Sequence, residues 1–294
     1  MTRDAPPHRL VYLGTPEIAV SPLRALAAAG FEIALVVTRV DKRRGRGSQL
    51  MPSPVKAAAI ESGLAVSHSV DDVLGVHAEL GIVVAFGQLI KSHVLAEVPM
   101  VNLHFSLLPR WRGAAPVERA LLAGDDQTGV CLMQLEEGLD TGPLYRGEVV
   151  PIGKSTTAAE LRADLVATGT KMLVTELQAG LDEPQPQVGV PTYAAKIQPD
   201  ELRIDWTRSP AELDRLVRLG GAWTTLHGKR LRIVAADLVD AASPGSNALR
   251  ADRIGGLRLL TVQPEGKAAM PFEAFARGAR LAEIEELGEP SVAR

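Results

Sequence analysis

Apolar and polar positions alternate in blocks along the chain, and the blocks change character near residue 205. "RLVYLG" (9–14) is an apolar run closed by Gly14, and it predicts a strand ending in a turn. "SPLRALAAAG" (21–30) predicts a helix with Ser21 as N-cap, Pro22 in its first turn and Gly30 as stop. "FEIALVVT" predicts a second strand, "SPVKAAAIESG" a second capped helix and "LAVSHS" a third strand. "LGIVVAFG" is almost continuously apolar, as expected of a parallel strand covered on both faces. Strands alternating with helices predict an α/β fold with a doubly wound, mainly parallel sheet. Ligands of such sheets bind beyond the carboxyl ends of the strands, where "GTPE", "FGQLI" and "HFSLLP" fall.

"APVERALLAG" (115–124) predicts the next helix, and "TGVCLMQLEEGLDTGPLYRGEVVPI" two strands bracketing the turn "GLDTGP". "STTAAELRADLVATGTKMLVTELQAG" reads as a long helix opened by Ser or Thr and ended by Gly180. Prolines then accumulate in "LDEPQPQVGVPTYAAKI" and periodicity stops, so this stretch reads as a linker. Beyond it, "SPAELDRLVRLGG" predicts one helix. The short runs "WTTLHG", "KRLRIVAADLV" and "GLRLLTVQPEG", with glycine turns and no further helix, predict a small β-barrel.

The chain of 294 residues, 46% hydrophobic, has material for two cores. Its start lacks the apolar core of a secretory signal and no run is long enough to cross a bilayer, so no membrane association is expected and a cytoplasmic location is. The single cysteine, Cys131, cannot form an internal disulfide and reads as a small buried hydrophobe. A net charge of −3 supplies no global field for nucleic acid, so such a partner requires a local basic patch.

Asn102 and His104 lie two apart at the end of a strand, so both face one side of the sheet. Asp140, in a Gly-flanked turn, is placed to bring a carboxylate to the same edge. An amide, an imidazole and a carboxylate form a set able to stabilise an oxyanion and move a proton. Ser106 lacks the G-x-S-x-G elbow of a serine hydrolase. "LGTPE" lacks the G-x-G-x-x-G cradle, which disfavours NAD. The six histidines show no metal-ligand spacing, so no metal is expected. "RVDKRRGRGSQLMPSPVK" (39–56) holds Arg39, Lys42, Arg43, Arg44 and Arg46 around glycines; it is either a solvated mobile loop or a phosphate-contacting one. Lys229, Arg230 and Arg232 form a second cluster.

"GTPE", "GRGSQLMPSPVK", "NLHFSLLPRWRGAAP", "GLDTGPL", "YAAKI" with "RIDW", and "VQPEGKAAM" occur in an order that resembles the methionyl-tRNA formyltransferase family, from about residue 10 to residue 278. The resemblance implies a Rossmann-like formyltransferase catalytic domain at 1–180, a linker at 181–204 and a shortened, OB-like, tRNA-binding domain at 205–294. It implies Asn102, His104 and Asp140 as the catalytic trio. It implies Ser106, Leu107, Leu108 and Pro109 as a tetrahydrofolate loop, with Phe86, Gly87, Gln88, Leu89 and Ile90 lining the pterin pocket. Gly14, Thr15 and Pro16 would meet the methionyl end, and Arg43, Arg44, Arg46, Lys229 and Arg230 the tRNA. The implied cosubstrate is 10-formyltetrahydrofolate, the implied partner initiator methionyl-tRNA, and the implied state a monomer. Ser48 and Gln49 stand where relatives often carry lysines, "RLGGAWTTLHG" lacks a usual Asn-Pro-Trp, and "PGSNALRADRIGGLRLL" is short for its strands. Other readings are a folate enzyme with a different acceptor, such as a sugar amine or water, or a catalytically silent tRNA- or folate-binding module. Arg110 and Arg112 could meet nucleic acid or fix a turn.

Overall fold

A computed structural model describes residues 5–44, 49–239, 248–250 and 253–288. The chain divides into two compact units, one formed by residues up to Val117 with Gln127–Pro151 and Leu161–Ala195, the other by Glu118–Asp126, Ile152–Glu160 and everything from Lys196.

In chain order the first unit draws on β1 (Arg9–Gly14), α1 (Val20–Ala28), β2 (Glu32–Val37), β3 (Lys42–Arg44), β4 (Gln49–Met51), α2 (Pro54–Glu61), β5 (Val66–Ser67), β6 (Leu80–Val84), α3 (Ser92–Glu97), β7 (Met100–His104) and β8 (Arg112–Gly113). There follow α4 (Pro116–Ala123), most of which belongs to the second unit, and then β9 (Gln127–Gln134), β10 (Leu144–Pro151), α5 (Ala158–Ala179, its first turn in the second unit) and β11 (Tyr193–Ala194). The main sheet has the order β10-β9-β7-β6-β1-β2-β5; β7, β6, β1, β2 and β5 run parallel, and β9 and β10 are antiparallel additions. This is the expected mainly parallel α/β sheet. Leu10, Val11, Tyr12, Leu13 and Ile82 are wholly buried, because neighbours cover both faces. The chain leaves β1 toward β2 and returns to pair β6 on the other side of β1, which puts the switch point between β1 and β6.

Two local features differ from the sequence expectation. α1 begins at Val20, after a 3-10 turn at Glu17–Ala19, so Ser21 lies inside the helix instead of capping it. The basic stretch, expected to be a mobile loop, leaves as β3 and returns as β4, pairing Lys42 with Met51 and Arg43 with Leu50. Its base is tied to α2 by Lys56 Nζ on Asp41 at 2.8 Å. Ser53 caps α2, as expected, accepting from the Lys56 N–H at 3.0 Å, an interaction of about 1 kcal/mol.

The stretch 181–195, expected to be a linker, is woven into the first unit. Gln185 exchanges two backbone hydrogen bonds with Leu144 (2.7 and 2.8 Å), and β11 pairs in parallel with β8. Its prolines interrupt periodicity without preventing isolated backbone pairing.

The second unit contains α6 (Pro210–Leu219), β12 (Trp223–Leu226), β13 (Lys229–Leu238), β14 (Ala248–Arg250), β15 (Arg253–Ile254), β16 (Leu257–Pro264), β17 (Met270–Pro271), α7 (Phe272–Ala279) and β18 (Ile284–Glu286). Its antiparallel sheet has the order β12-β13-β16-β15-β14-β18, with β17 on β16. The edges meet where the Gly288 N–H donates to Thr225 O at 2.9 Å and His227 Nε2 meets Glu285 Oε2 at 2.9 Å, closing a small barrel. Trp206, Leu213, Leu231, Ile233, Leu257, Val262 and Phe272 fill it. Ser209 and Glu212 form a capping box on α6. α7 was not anticipated; the sequence pattern assigned no element to "FEAFARGA". The short segment around 250 still supplies two strands, and Leu249 and Ile254 are buried.

Candidate active site

The carboxyl ends of β1, β6 and β7 meet at one edge of the sheet, with Gly14 beside Val84 and Val83 beside Asn102 in register. The Thr15 hydroxyl donates to Phe86 O at 3.2 Å and so bridges the loops after β1 and β6 at the switch point. One strand further, Asn102 and His104 project to the same face of β7. Asn102 is half-buried, and among the described residues no protein group bonds its side-chain amide. Its donor is open to a ligand.

His104 is hydrogen-bonded through one ring nitrogen and faces a carboxylate with the other. Nε2 lies 2.9 Å from Trp111 O and Nδ1 3.6 Å from Asp140 Oδ2, and both side chains are largely shielded from solvent. The two facing atoms are acceptors, so the ring can donate to both only as the imidazolium. Asp140 Oδ2 also accepts from the Gly113 N–H at 2.8 Å. Asp140 takes a left-handed backbone conformation (φ 49°), which Asp tolerates better than most residues. Gly113 has φ 120°, and a Cβ there would meet Ala194 O at 2.9 Å, so glycine is what lets β8 lie this close to β11.

The loop after β7 turns inward. The Ser106 hydroxyl donates to Arg110 O at 2.7 Å, and Leu108 packs with Cys131, Met133 and Leu144. Leu107 lies against Gly129 of β9, where a Cβ would come within 2.5 Å of its Cδ2 and 2.2 Å of Glu148 O. Burial pushes the Cys131 thiol up to about 11, which leaves it protonated and unreactive at neutral pH. Neither Ser106 nor Cys131 is a nucleophile here.

The strap at 185–194 fastens this loop to the one carrying Asp140. Gln187 Nε2 donates to Asp140 O (2.9 Å) and Gly142 O (2.8 Å), while its Oε1 accepts from Arg112 Nε (3.1 Å) and Nη2 (2.6 Å). The Trp111 N–H donates to Thr192 Oγ1 at 2.9 Å, and the Arg112 N–H to Thr192 O at 2.8 Å. Arg112 therefore fixes a turn. Arg110 lies 4.4 Å over the Trp111 ring.

Several sequence-assigned residues sit differently from a simple pocket wall. Phe86 and Ile90 are buried in the core with Val11, Leu13 and Val83, because the chain turns back under β6. Gly87, Gln88 and Leu89 are exposed, Leu89 at 79%, and the Arg39 guanidinium donates to Gly87 O. Ser106, Leu108 and Pro109 are buried, and only Leu107 of that loop is half-exposed. Gly14 is buried, Thr15 half-buried and Pro16 exposed. Arg43 is exposed on β3, and Arg44 ends that strand. Lys229 and Arg230 are exposed on β13, and Arg230 lies 4.3 Å over the Trp223 ring. Arg46 lies outside the described residues. The sequence reading missed Gln187, Thr192 and the Trp111 carbonyl. The one signal available was that polar Gln and Thr recur inside an otherwise proline-rich stretch.

Two family models match the chain, formyl transferase over residues 8–177 and formyl transferase C-terminal domain over residues 196–280. Methionyl-tRNA formyltransferases of Roseobacter denitrificans and Dinoroseobacter shibae are each 42% identical to it over 93% of this chain, and the matches cover 96% and 98% of those proteins. Among solved structures, HypX from Aquifex aeolicus with tetrahydrofolic acid is 16% identical (TM-score 0.63, 96% of this chain and 49% of that one). An N-formyltransferase from Helicobacter canadensis with folinic acid and dTDP-3-aminofucose is also 16% identical (TM-score 0.60, 87% and 98%). At that identity the structures speak for the fold alone. The sequence matches, running through both units and nearly the full length of the relatives, establish that this chain belongs to the methionyl-tRNA formyltransferase family.

Proposed function

We propose that the chain transfers the formyl group of 10-formyltetrahydrofolate to the α-amino group of initiator methionyl-tRNA, with Asn102, His104 and Asp140 as the catalytic residues. The observation that carries this reading is the end of β7, where an unpartnered Asn102 amide shares a face with a His104 held 3.6 Å from Asp140. The acceptor follows from the relatives' own activity at 42% identity.

An α-amine titrates at about 8, so a useful fraction is neutral and able to attack without a protein nucleophile. The folate supplies the formyl carbon. Attack there places negative charge on the formyl oxygen, and the Asn102 N–H is the open donor aimed at that edge. As the amine nitrogen bonds to the formyl carbon it must lose a proton, and His104, between the Asp140 carboxylate and the Trp111 carbonyl, is placed to take that proton and pass it to the folate nitrogen as the bond from that nitrogen to the formyl carbon breaks. Asp140 orients the ring and favours its charged form in the transition state. Thr15 with Gly14 and Pro16 would face the methionyl end. Leu107 and the exposed 87–89 backbone would meet the folate, with Phe86, Ile90, Ser106, Leu108 and Pro109 shaping that wall from beneath. The tRNA would be held by Arg43 and Arg44 of β3, by Arg46 two residues further along the sequence, and by Lys229 and Arg230 on β13, and the enzyme would act as a cytoplasmic monomer.

The test supplies 10-formyltetrahydrofolate with charged initiator tRNA and measures formylmethionine released from the tRNA. Formylation that is absent with tRNA but present with an amino sugar, or folate turnover without any acceptor, would overturn the assignment. Arg46→Ala should lower the slope of log K against log salt by about 1, as expected for one lost phosphate contact.

A further inference from the structure

Gln187 uses every hydrogen-bonding position of its side chain. Its two N–H groups serve Asp140 O and Gly142 O, and its oxygen takes two N–H groups of Arg112. The orientation is fixed by its partners, since a flipped amide would set oxygen against two carbonyls and nitrogen against a guanidinium. The bonds close a ring, because Arg112 precedes Gly113, whose N–H holds the Asp140 carboxylate. Trp111, on the other side of Arg112, presents the carbonyl that takes His104 Nε2. Both partners of the imidazole thus sit on loops joined through one amide that lies 47 residues from Asp140 and 75 from Arg112.

We infer that Gln187 is a positioning residue for the transfer reaction, setting the Asp140 carboxylate and the Trp111 carbonyl at the distances His104 requires. It touches no reacting atom. The inference rests on the proposed role of Asp140, and it adds that one side chain of the proline-rich strap, that of Gln187, supports the catalytic residues. Glutamate at 187 would keep the acceptor for Arg112 but lose both donors, and leucine would lose all four bonds.

Steady-state formylation of methionyl-tRNA separates positioning from folding. Gln187→Leu should lower kcat by about 10- to 100-fold, the range for displacing a catalytic group by about an ångström, with KM for both substrates within about twofold of wild type. Gln187→Glu should act in the same direction and supports the comparison if the leucine variant does not fold. Val190→Ala, on the exposed part of the same strap, should leave kcat unchanged. In an Asp140→Asn background, Gln187→Leu should cost several-fold less than it does in the wild type, since only the Trp111 carbonyl is then left to position. A wild-type kcat in both Gln187 variants would overturn the inference, as would a rise in KM alone or an equal fractional loss in both backgrounds. A wild-type protein that does not formylate the tRNA would instead refute the functional reading beneath it.

Discussion

Replacing Asp140 by asparagine removes a charge and little else. The Gly113 N–H retains an acceptor, because the asparagine carbonyl can take the place of Oδ2 at 2.8 Å. The left-handed backbone at φ 49° suits asparagine as well as aspartate, whereas alanine would add roughly 1 kcal/mol of strain. What is lost is the attraction between the carboxylate and His104 at 3.6 Å. Unit charges at that separation interact by about 4 to 5 kcal/mol at an effective dielectric of about 20. Only the part that grows as His104 charges in the transition state affects turnover. Half to two-thirds of it is roughly 2 to 3 kcal/mol, or on the order of 30- to 150-fold in kcat. Formylation of methionyl-tRNA under saturating folate should show that loss, with KM nearly unchanged and the melting temperature within a few degrees of wild type. A folded Asp140→Asn enzyme with kcat within about threefold of wild type would refute the role assigned to the charge. A loss that followed the fraction unfolded would refute it equally.

Three other outcomes follow from the same geometry. Gly129→Ala places a methyl 2.2 Å from Glu148 O and 2.5 Å from Leu107, so chemical denaturation should show about 2 to 3 kcal/mol of destabilisation, and Leu107, in the assigned folate loop, should shift enough to raise KM for folate. Cys131, raised to about 11 by burial, should resist alkylation at pH 8 until the protein unfolds; stability tied to it is complete below the unfolded value near 9 and declines as pH rises toward 11. In the second unit, Glu160, Glu201, Glu212 and Glu285 are held below the usual glutamate value of 4.5, chiefly by N–H or hydroxyl donors and, for Glu201, by Arg119. Depressed carboxylates stabilise above their unfolded values and lose that contribution as pH falls, so amide protection factors in this unit, each rate taken relative to the unstructured chain at the same pH, should fall below about pH 4.5, and unchanged protection factors down to pH 3 would contradict the assignment.

How much of this was legible in the sequence depended on the range of the interaction. Asn102 and His104 could be read together because strand alternation fixes their relation within three residues. The sheet was legible because buried parallel strands are apolar throughout, as "LGIVVAFG" is. Asp140 was legible as a turn from its glycine neighbours, although nothing local specified that its carboxylate would take the Gly113 N–H, 27 residues away. The burial of Phe86 and Ile90 was not legible, because an apolar residue in a strand-end loop serves a pocket wall or a core with the same sequence. The strap was misread for a plainer reason. Its bonds join side-chain amides and isolated carbonyls, which leave no periodicity, and prolines dominate the local pattern.

Bonds from elsewhere in the chain, two of them from the strap, account for how unfavourable backbone survives at the reaction edge. Ala85, Trp111 and Asp140, each at the end of a strand or in a loop that follows one, all have positive φ, and for Ala and Trp that costs roughly 1 to 2 kcal/mol apiece. Each is held by a bond from elsewhere in the chain. The Trp111 N–H is taken by Thr192 Oγ1, the Asp140 carbonyl by Gln187, and the loop after Ala85 by Thr15 on Phe86 O. A hydrogen bond contributes about 1 kcal/mol net, so one bond roughly offsets one strained residue and two exceed it. Trp111 gains a second through its carbonyl from His104, and Asp140 a second through Gly113. The two residues most tightly fixed are therefore the two that touch the imidazole. Strain at this edge is kept where holding it also sets the position of His104, which is why removing a bond donor in the strap should appear first in kcat and only afterwards in stability.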